Sequence, residues 1–332
     1  MAPRTDFPPV RACLFDMDGL LLDTEDIYTL CINSVLARYG KPNLPWTIKA
    51  KLQGRPMLEA NKIFMDWAQL PISPEEFMKE NAALQAAKFP SAQPLPGVVE
   101  LLRSLGRTRY WEVAPPAATP GVGAADSAAA TADTMKPHRV HIALATSSHT
   151  ANFRLKTAHL ADLFSVFETP RRVLGDDPRI GAGRGKPLPD IYLLALRTVN
   201  ETLAPGEPPI RPEECLVFED SVSGVEAGRR AGMRVIWCPH PRLKEVYTGR
   251  EPEVLAGTTG EAGETGAATP PGEIDDGWAE YLPSLEAFPY ARYGIAVPPA
   301  AVDGEPCMTA AAIDAAVLES ASVADTKATT SP

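Results

Sequence analysis

A short apolar run at residues 10–15 stops abruptly at Asp16-Met17-Asp18-Gly19 and continues as Leu20-Leu21-Leu22-Asp23-Thr24-Glu25. A run of bulky apolar residues with no polar alternation reads as a strand buried on both faces, the kind that builds parallel α/β sheets. Ligands of such sheets bind in the crevice outside the carboxyl ends of the strands, which is where this carboxylate pair falls. Side chains alternate along a strand, so Asp16 and Asp18 converge on one centre only if the chain bends, and Gly19 permits the bend. Two converging carboxylates invite a cation, although a D-x-D pair also occurs in solvated turns.

The remaining chain repeats the pattern of strand and helix. Residues 24–93 read as helices set directly after the first strand: a start at Thr24-Glu25-Asp26 with Thr24 as capping hydroxyl, then two patterns at 56–70 and 74–89, each opened by proline. Pro94 returns the chain to further strand patterns at 140–145, 216–218 and 234–238, with helices at 98–105, 152–159, 188–199 and 222–232 between them. The alternation implies a doubly wound, Rossmann-like parallel sheet, formed by residues 1–23 and 94–248 and carrying a small inserted helical domain at 24–93. Residues 107–137 are poor in bulky apolar side chains and read as a low-complexity insertion. Residues 249–277 read as a flexible excursion, 278–296 as a terminal segment docking on the core, and 297–332 as a disordered tail.

The net charge of -10 argues against a nucleic-acid polymer as partner, because phosphate backbones need clustered Lys and Arg. No apolar run reaches membrane-spanning length, and the start of the chain lacks the apolar stretch of a signal peptide; the expectation is a monomer in the cytoplasm or nucleus, with no membrane partner. Cys13, Cys31, Cys215, Cys238 and Cys307 are widely spaced and mostly within apolar segments, which favours reduced thiols over disulfides or zinc ligands.

Four strand or loop ends carry polar groups in order: Asp16, Thr146, Lys186 and the pair Glu219-Asp220. Together they resemble the four motifs of the haloacid dehalogenase-like (HAD) phosphohydrolase superfamily. The stretches F-D-M-D-G-L-L-L-D-T-E, A-L-A-T-S-S, L-G-D-D-P, G-K-P-x-P-D-I and C-L-V-F-E-D look like its pseudouridine-5'-phosphatase branch. The resemblance implies a phosphatase with a cap formed by 24–93, Asp16 as nucleophile and Asp18 as general acid and base. Taken singly, Thr146 to Ser148 could cap a helix, Lys186 could be a solvated lysine and Glu219-Asp220 could complement a helix N-terminus. Their conjunction favours the chemical reading.

A phosphate monoester dianion repels an attacking carboxylate unless cations offset the charge. On the resemblance, Asp16, Asp220 and the Asp18 carbonyl would hold Mg²⁺, with Glu219 as a ligand or behind one; Lys186 would add a second positive charge and restrain the nucleophile. Thr146 would bind phosphoryl oxygens, with Gly19, Ser147 and, from the cap loop, Arg55 as further substrate-binding candidates. The expected substrate is a small phosphate ester such as pseudouridine 5'-phosphate. A mutase similar to β-phosphoglucomutase is the alternative, against which Tyr28 stands where such enzymes carry a histidine; a sugar or polyol phosphatase (2-deoxyglucose-6-phosphate or glycerol-3-phosphate) and a non-catalytic phosphate-binding scaffold are the others.

Overall fold

The computed structural model describes residues 3–112, 137–260 and 271–298. Its centre is a six-stranded sheet: β1 (Ala12–Phe15), β2 (His141–Ala145), β3 (Arg172–Val173), β4 (Cys215–Glu219), β5 (Arg234–Trp237) and β6 (Ala279–Tyr281). The spatial order is β3-β2-β1-β4-β5-β6 and every neighbouring pair is parallel. In register, Ala12 and Phe15 pair with His141 and Leu144 on one side and with Cys215 and Phe218 on the other. The chain therefore winds outward from β1 in one direction and restarts at β4 in the other. That reversal opens a crevice at the carboxyl ends of β1 and β4, the place where doubly wound sheets take their ligands.

Strand alternation sorts the core into two layers. Cys13, Phe15, Leu144, Leu216 and Phe218 face one cluster, which Phe153, Phe167 and Phe288 complete; Phe15 stacks on Phe218 with centroids 4.4 Å apart. Ala12, Leu14, Val217, Val235 and Trp237 face the other, against Ile191, Tyr192 and Val225.

Between β1 and the rest of the sheet come α1 (Thr24–Arg38), α2 (Trp46–Leu52), α3 (Met57–Ala68) and α4 (Pro74–Lys88). They have an apolar cluster of their own, including Val35, Leu36, Leu44, Phe64 and Phe77, with Phe64 and Phe77 stacked at 4.5 Å. The start of α4 follows from its sequence: Ser73 and Glu76 form a reciprocal capping box around Pro74. The start of α1 does not, because Thr24 leaves the cap unfilled and donates its hydroxyl to Asp18 instead. The short α2 has no counterpart in the apolar pattern; Lys49 and Lys51 interrupt its period.

The sheet is flanked by α5 (Val98–Arg107), α6 (Thr150–Thr157), α7 (Ala161–Phe164), α8 (Asp190–Asn200), α9 (Val222–Arg230), α10 (Pro241–Val246) and α11 (Glu251–Ala256). The last is a departure from the flexible reading of 249–277, since Pro252 in the first turn and Gly257 beyond the end bracket a short helix. β6 forms the sheet edge within 278–296. Most of the 107–137 insertion, the middle of 249–277, nearly all of the 297–332 tail and Cys307 lie outside the described residues. Among the described residues Cys13, Cys31 and Cys215 are buried and unpaired, Cys238 is half-buried and unpaired, and no helix is long and apolar enough to cross a membrane.

Candidate active site

Asp16 follows β1 and Asp220 follows β4, so the parallel register of these neighbouring strands places both carboxyls at the same end of the sheet. Gly19 makes the turn after β1 with φ +79°, and a Cβ there would collide with the Asp220 carboxylate. The glycine is required by the close approach of the Asp220 carboxylate to this turn.

Lys186 is fully buried and bridges two acids, in contact with Asp16 Oδ1 and 2.6 Å from Glu219 Oε1. Burial alone would lower the lysine, but the two carboxylates overcome it and raise its pKa. Glu219 is saturated: besides Lys186, Tyr192 donates to Oε1, and the Ser221 amide and hydroxyl donate to Oε2 at 3.1 and 3.0 Å. It thus stands behind Lys186, positioning it, with no oxygen left toward the site. Ser221 also caps α9 by accepting from the Gly224 amide, so the capping reading of this segment belongs to Ser221 and leaves Asp220 to the crevice.

Asp18 lies in a different environment. Lys156, fully buried, donates to Oδ1 at 2.6 Å, Thr24 donates to the same oxygen at 2.6 Å, and Ser148 donates to Oδ2 at 2.6 Å. Burial pushes the Asp18 carboxyl up, and Lys156 together with these hydrogen bonds outweighs it and holds the group below its usual range. Lys156 reaches this position through an aromatic slot, with Nζ 4.6 Å from the Tyr28 ring centroid and 4.5 Å from that of Phe89. It also donates to the Tyr28 hydroxyl at 2.7 Å. Nothing in the sequence marks Lys156, since it sits in the middle of α6 and its partners come from elements far along the chain.

The remaining acids are under-neutralised. Burial raises Asp16, which Lys186 opposes and Glu219 and Asp18 reinforce; Asp220 is raised well above the carboxylate range by burial first and then by Glu25, Glu219 and Asp16. Asp220 accepts from Gln53 Nε2 at 3.3 Å. Such a site fits a hard divalent cation. Asp16 and Asp220 offer carboxylate oxygens to the cavity, the donor type such an ion takes in ones and twos while carbonyl, water and phosphate oxygens fill the rest of its shell.

These groups open onto a cavity of ≈ 360 Å³ between the strand ends and the helices of 24–88. Asp16, Asp18, Thr146, Ser147, Arg55 and Asp220 line it. Thr146 is buried and holds the following turn by accepting from the Ser148 amide at 3.1 Å. It does not cap α6, whose N-terminal Thr150 amide is satisfied by Asp176. The Arg55 guanidinium is engaged by the Lys51 carbonyl at 2.8 Å and by Glu59 at 3.6 Å. The α2–α3 loop seals the cavity against the sheet: Ser147 donates to the Gly54 carbonyl and Ser223 to the Gln53 carbonyl, both at 2.9 Å.

A family model described as haloacid dehalogenase-like hydrolase matches residues 10–232. The chain is 39% identical to a probable pseudouridine-5'-phosphatase of Saccharomyces cerevisiae over 86% of this chain and 98% of that one. It is 37% identical to (DL)-glycerol-3-phosphatase 1 of Arabidopsis thaliana over 73% of this chain and 68% of that one. Among solved structures, a β-phosphoglucomutase from Clostridium difficile aligns with a TM-score of 0.48 and 16% identity over 73% of this chain and 87% of that one. The chain belongs to the haloacid dehalogenase-like hydrolases.

Proposed function

We propose that the protein hydrolyses a small phosphate monoester, pseudouridine 5'-phosphate or a related nucleotide or sugar phosphate, through an aspartyl-phosphate on Asp16. The enzyme is a phosphoric monoester hydrolase. The observation that carries the reading is the separation of two carboxylates by their lysines: Asp16 is held by Lys186 and Asp18 by Lys156, and both acids face one cavity.

In the first half-reaction an Asp16 oxygen attacks phosphorus while the bond to the leaving alkoxide breaks, and Asp18 gives that alkoxide its proton. In the second, Asp18 takes a proton from a water whose oxygen attacks the same phosphorus, which frees Asp16 and inorganic phosphate. The low resting pKa of Asp18 suits the second role. A dianionic phosphate arriving beside it raises that pKa and so favours the first. Thr146 and Ser147 would meet the phosphoryl oxygens, and Lys186 keeps Asp16 oriented for attack. Asp16, Asp220 and the Asp18 carbonyl would hold the divalent cation, for which Mg²⁺ is the reading the all-oxygen donors favour. When bound, it supplies positive charge against the incoming dianion.

The helices of 24–88 serve as a cap that covers the site and chooses the leaving group. We take the protein to act as a monomer in the cytoplasm or nucleus, on a small molecule, without a nucleic-acid or membrane partner. Tyr28, half-buried and accepting from Lys156, has its pKa pushed up to about 12 mainly by desolvation, so its phenol is a poor substitute for a mutase-type histidine acid or base.

The test is phosphate release from pseudouridine 5'-phosphate with Mg²⁺ by wild type and by Asp16→Asn. The variant should keep the far-ultraviolet circular dichroism of the wild type and lose turnover by about 10⁴-fold or more. Undiminished turnover would remove Asp16 as nucleophile.

A further inference from the structure

The cavity extends from the carboxylates into the helical layer, and its far wall is apolar: Leu44, Met57, Phe64 and Phe77 line it. Set among these are the amide side chains of Asn61 on α3 and Asn81 on α4. Asn61 Nδ2 and Asn81 Oδ1 are shut away from solvent without a hydrogen-bond partner among the described residues, and so is Gln53 Oε1 at the inner end of the same cavity. An unpaired buried amide costs on the order of 1–3 kcal/mol. Two of them beside the apolar wall of one cavity call for a ligand that satisfies both.

The chemistry of the wall narrows that ligand. A polyol would bring hydroxyls against phenylalanine and methionine and leave the apolar surface unused. A flat ring with adjacent carbonyl and N–H groups on its edge matches both features. Its faces bury against apolar side chains, and an amide side chain offers a donor and an acceptor side by side, the arrangement that reads a base edge.

We propose that Asn61 and Asn81 recognise the base of a pyrimidine nucleoside 5'-monophosphate whose phosphate sits at Asp16. The proposal rests on the hydrolase reading above and concerns only the leaving group. The residues are specificity determinants and take no part in bond breaking.

The first test uses wild type alone with Mg²⁺. Pseudouridine 5'-phosphate is compared with ribose 5-phosphate, which has the same ester and no base, and with glycerol 3-phosphate. The nucleotide should exceed both in kcat/KM by at least about tenfold. Ribose 5-phosphate or glycerol 3-phosphate turned over as well as the nucleotide would overturn the proposal. The second test uses Asn61→Leu and Asn81→Leu, which keep the size of the side chain and remove its amide. Each should lower kcat/KM for the nucleotide by about 10- to 100-fold, mainly through KM, and leave p-nitrophenyl phosphate turnover unchanged. Equal loss on both substrates, or none on either, would overturn the assignment of these residues. Absence of phosphate release from every ester, p-nitrophenyl phosphate included, would instead defeat the hydrolase reading itself.

Discussion

Lys156 Nζ lies 2.6 Å from Asp18 Oδ1, with the lysine fully buried and carried by a helix that begins after the second strand. The pairing gives Asp18 an environment opposite to that of Asp16: one carboxyl is held low by its lysine, the other is driven up by burial and by neighbouring acids. Two acids pushed apart in this way can divide nucleophilic and proton-transfer work.

Lys156→Met tests that division. Methionine retains the packing against Tyr28 and Phe89 but leaves Asp18 with only the Thr24 and Ser148 hydroxyls. The expected result is a fall in kcat of about 10²-fold with KM nearly unchanged, because the loss falls on proton transfer and not on phosphate binding. Stability should fall by about 3 kcal/mol in urea titrations, since a buried acid loses its charge partner. A variant with wild-type kcat would show that the pair is structural only.

Removal of the cation has a readout in stability as well as in rate. Chelation should abolish turnover and lower Tm, because buried Asp16 and Asp220 are then left to Lys186 alone, and added Mg²⁺ should restore both. Asp220→Asn should behave in the opposite sense in the chelated protein, raising its Tm by removing a buried acid whose charge is disfavoured. It should also erase the Mg²⁺-induced rise. A chelated wild type with unchanged Tm and rate would exclude a resident metal at these acids.

The legible parts of this chain are those where one local pattern decides the structure. The apolar runs that end in Asp16 and Glu219-Asp220 became adjacent central strands, and Ser73-Pro74 with Glu76 opened a helix. The illegible parts depend on partners far apart in sequence. Thr24 looks like a cap, but Asp18 claims its hydroxyl. Lys156 sits in an ordinary stretch of helix, and only the fold brings it 138 residues back to Asp18. Gln53 and the two asparagines are polar residues in a helical layer, and only the fold shows that Gln53 Oε1, Asn61 Nδ2 and Asn81 Oδ1 are buried without a partner among the described residues.

Gly54 offers a way to separate backbone strain from cap placement. Its φ is +71°, and a Cβ there would meet the Ser221 and Ser223 hydroxyls across the seam between helices and sheet. Gly40 has a similar φ of +65° with open space around it. Alanine at either site should cost about 1–2 kcal/mol in stability from the left-handed conformation. Only Gly54→Ala should also raise KM, by about tenfold, because it pushes the α2–α3 loop off the site. A matching KM change in Gly40→Ala would assign the effect to strain instead.

His141 should give the protein an acid-sensitive limb unrelated to catalysis. It is buried on β2 with Nε2 2.7 Å from Glu207 Oε1 and Nδ1 3.2 Å from Arg171 Nη1. An arginine can only donate, so Nδ1 accepts and the proton sits on Nε2, which donates to Glu207: the ring is the neutral tautomer. Burial is the main cause that lowers its pKa to about 4, with Arg139 and Arg171 assisting and Glu207 opposing. The unfolded chain protonates near pH 6.5, as an unperturbed histidine does, so between 6.5 and 4 it binds a proton that the folded chain refuses. Stability from this group is therefore complete above pH 6.5, falls as the pH drops toward 4, and is level below. Glu207, whose own pKa is lowered, adds a further loss only at more acidic pH. Urea titrations at pH 7 and pH 5 should show the wild type losing about 2 kcal/mol more than His141→Gln over that interval. Equal losses in the two proteins would mean that His141 takes up its proton in the folded state as readily as in the unfolded one.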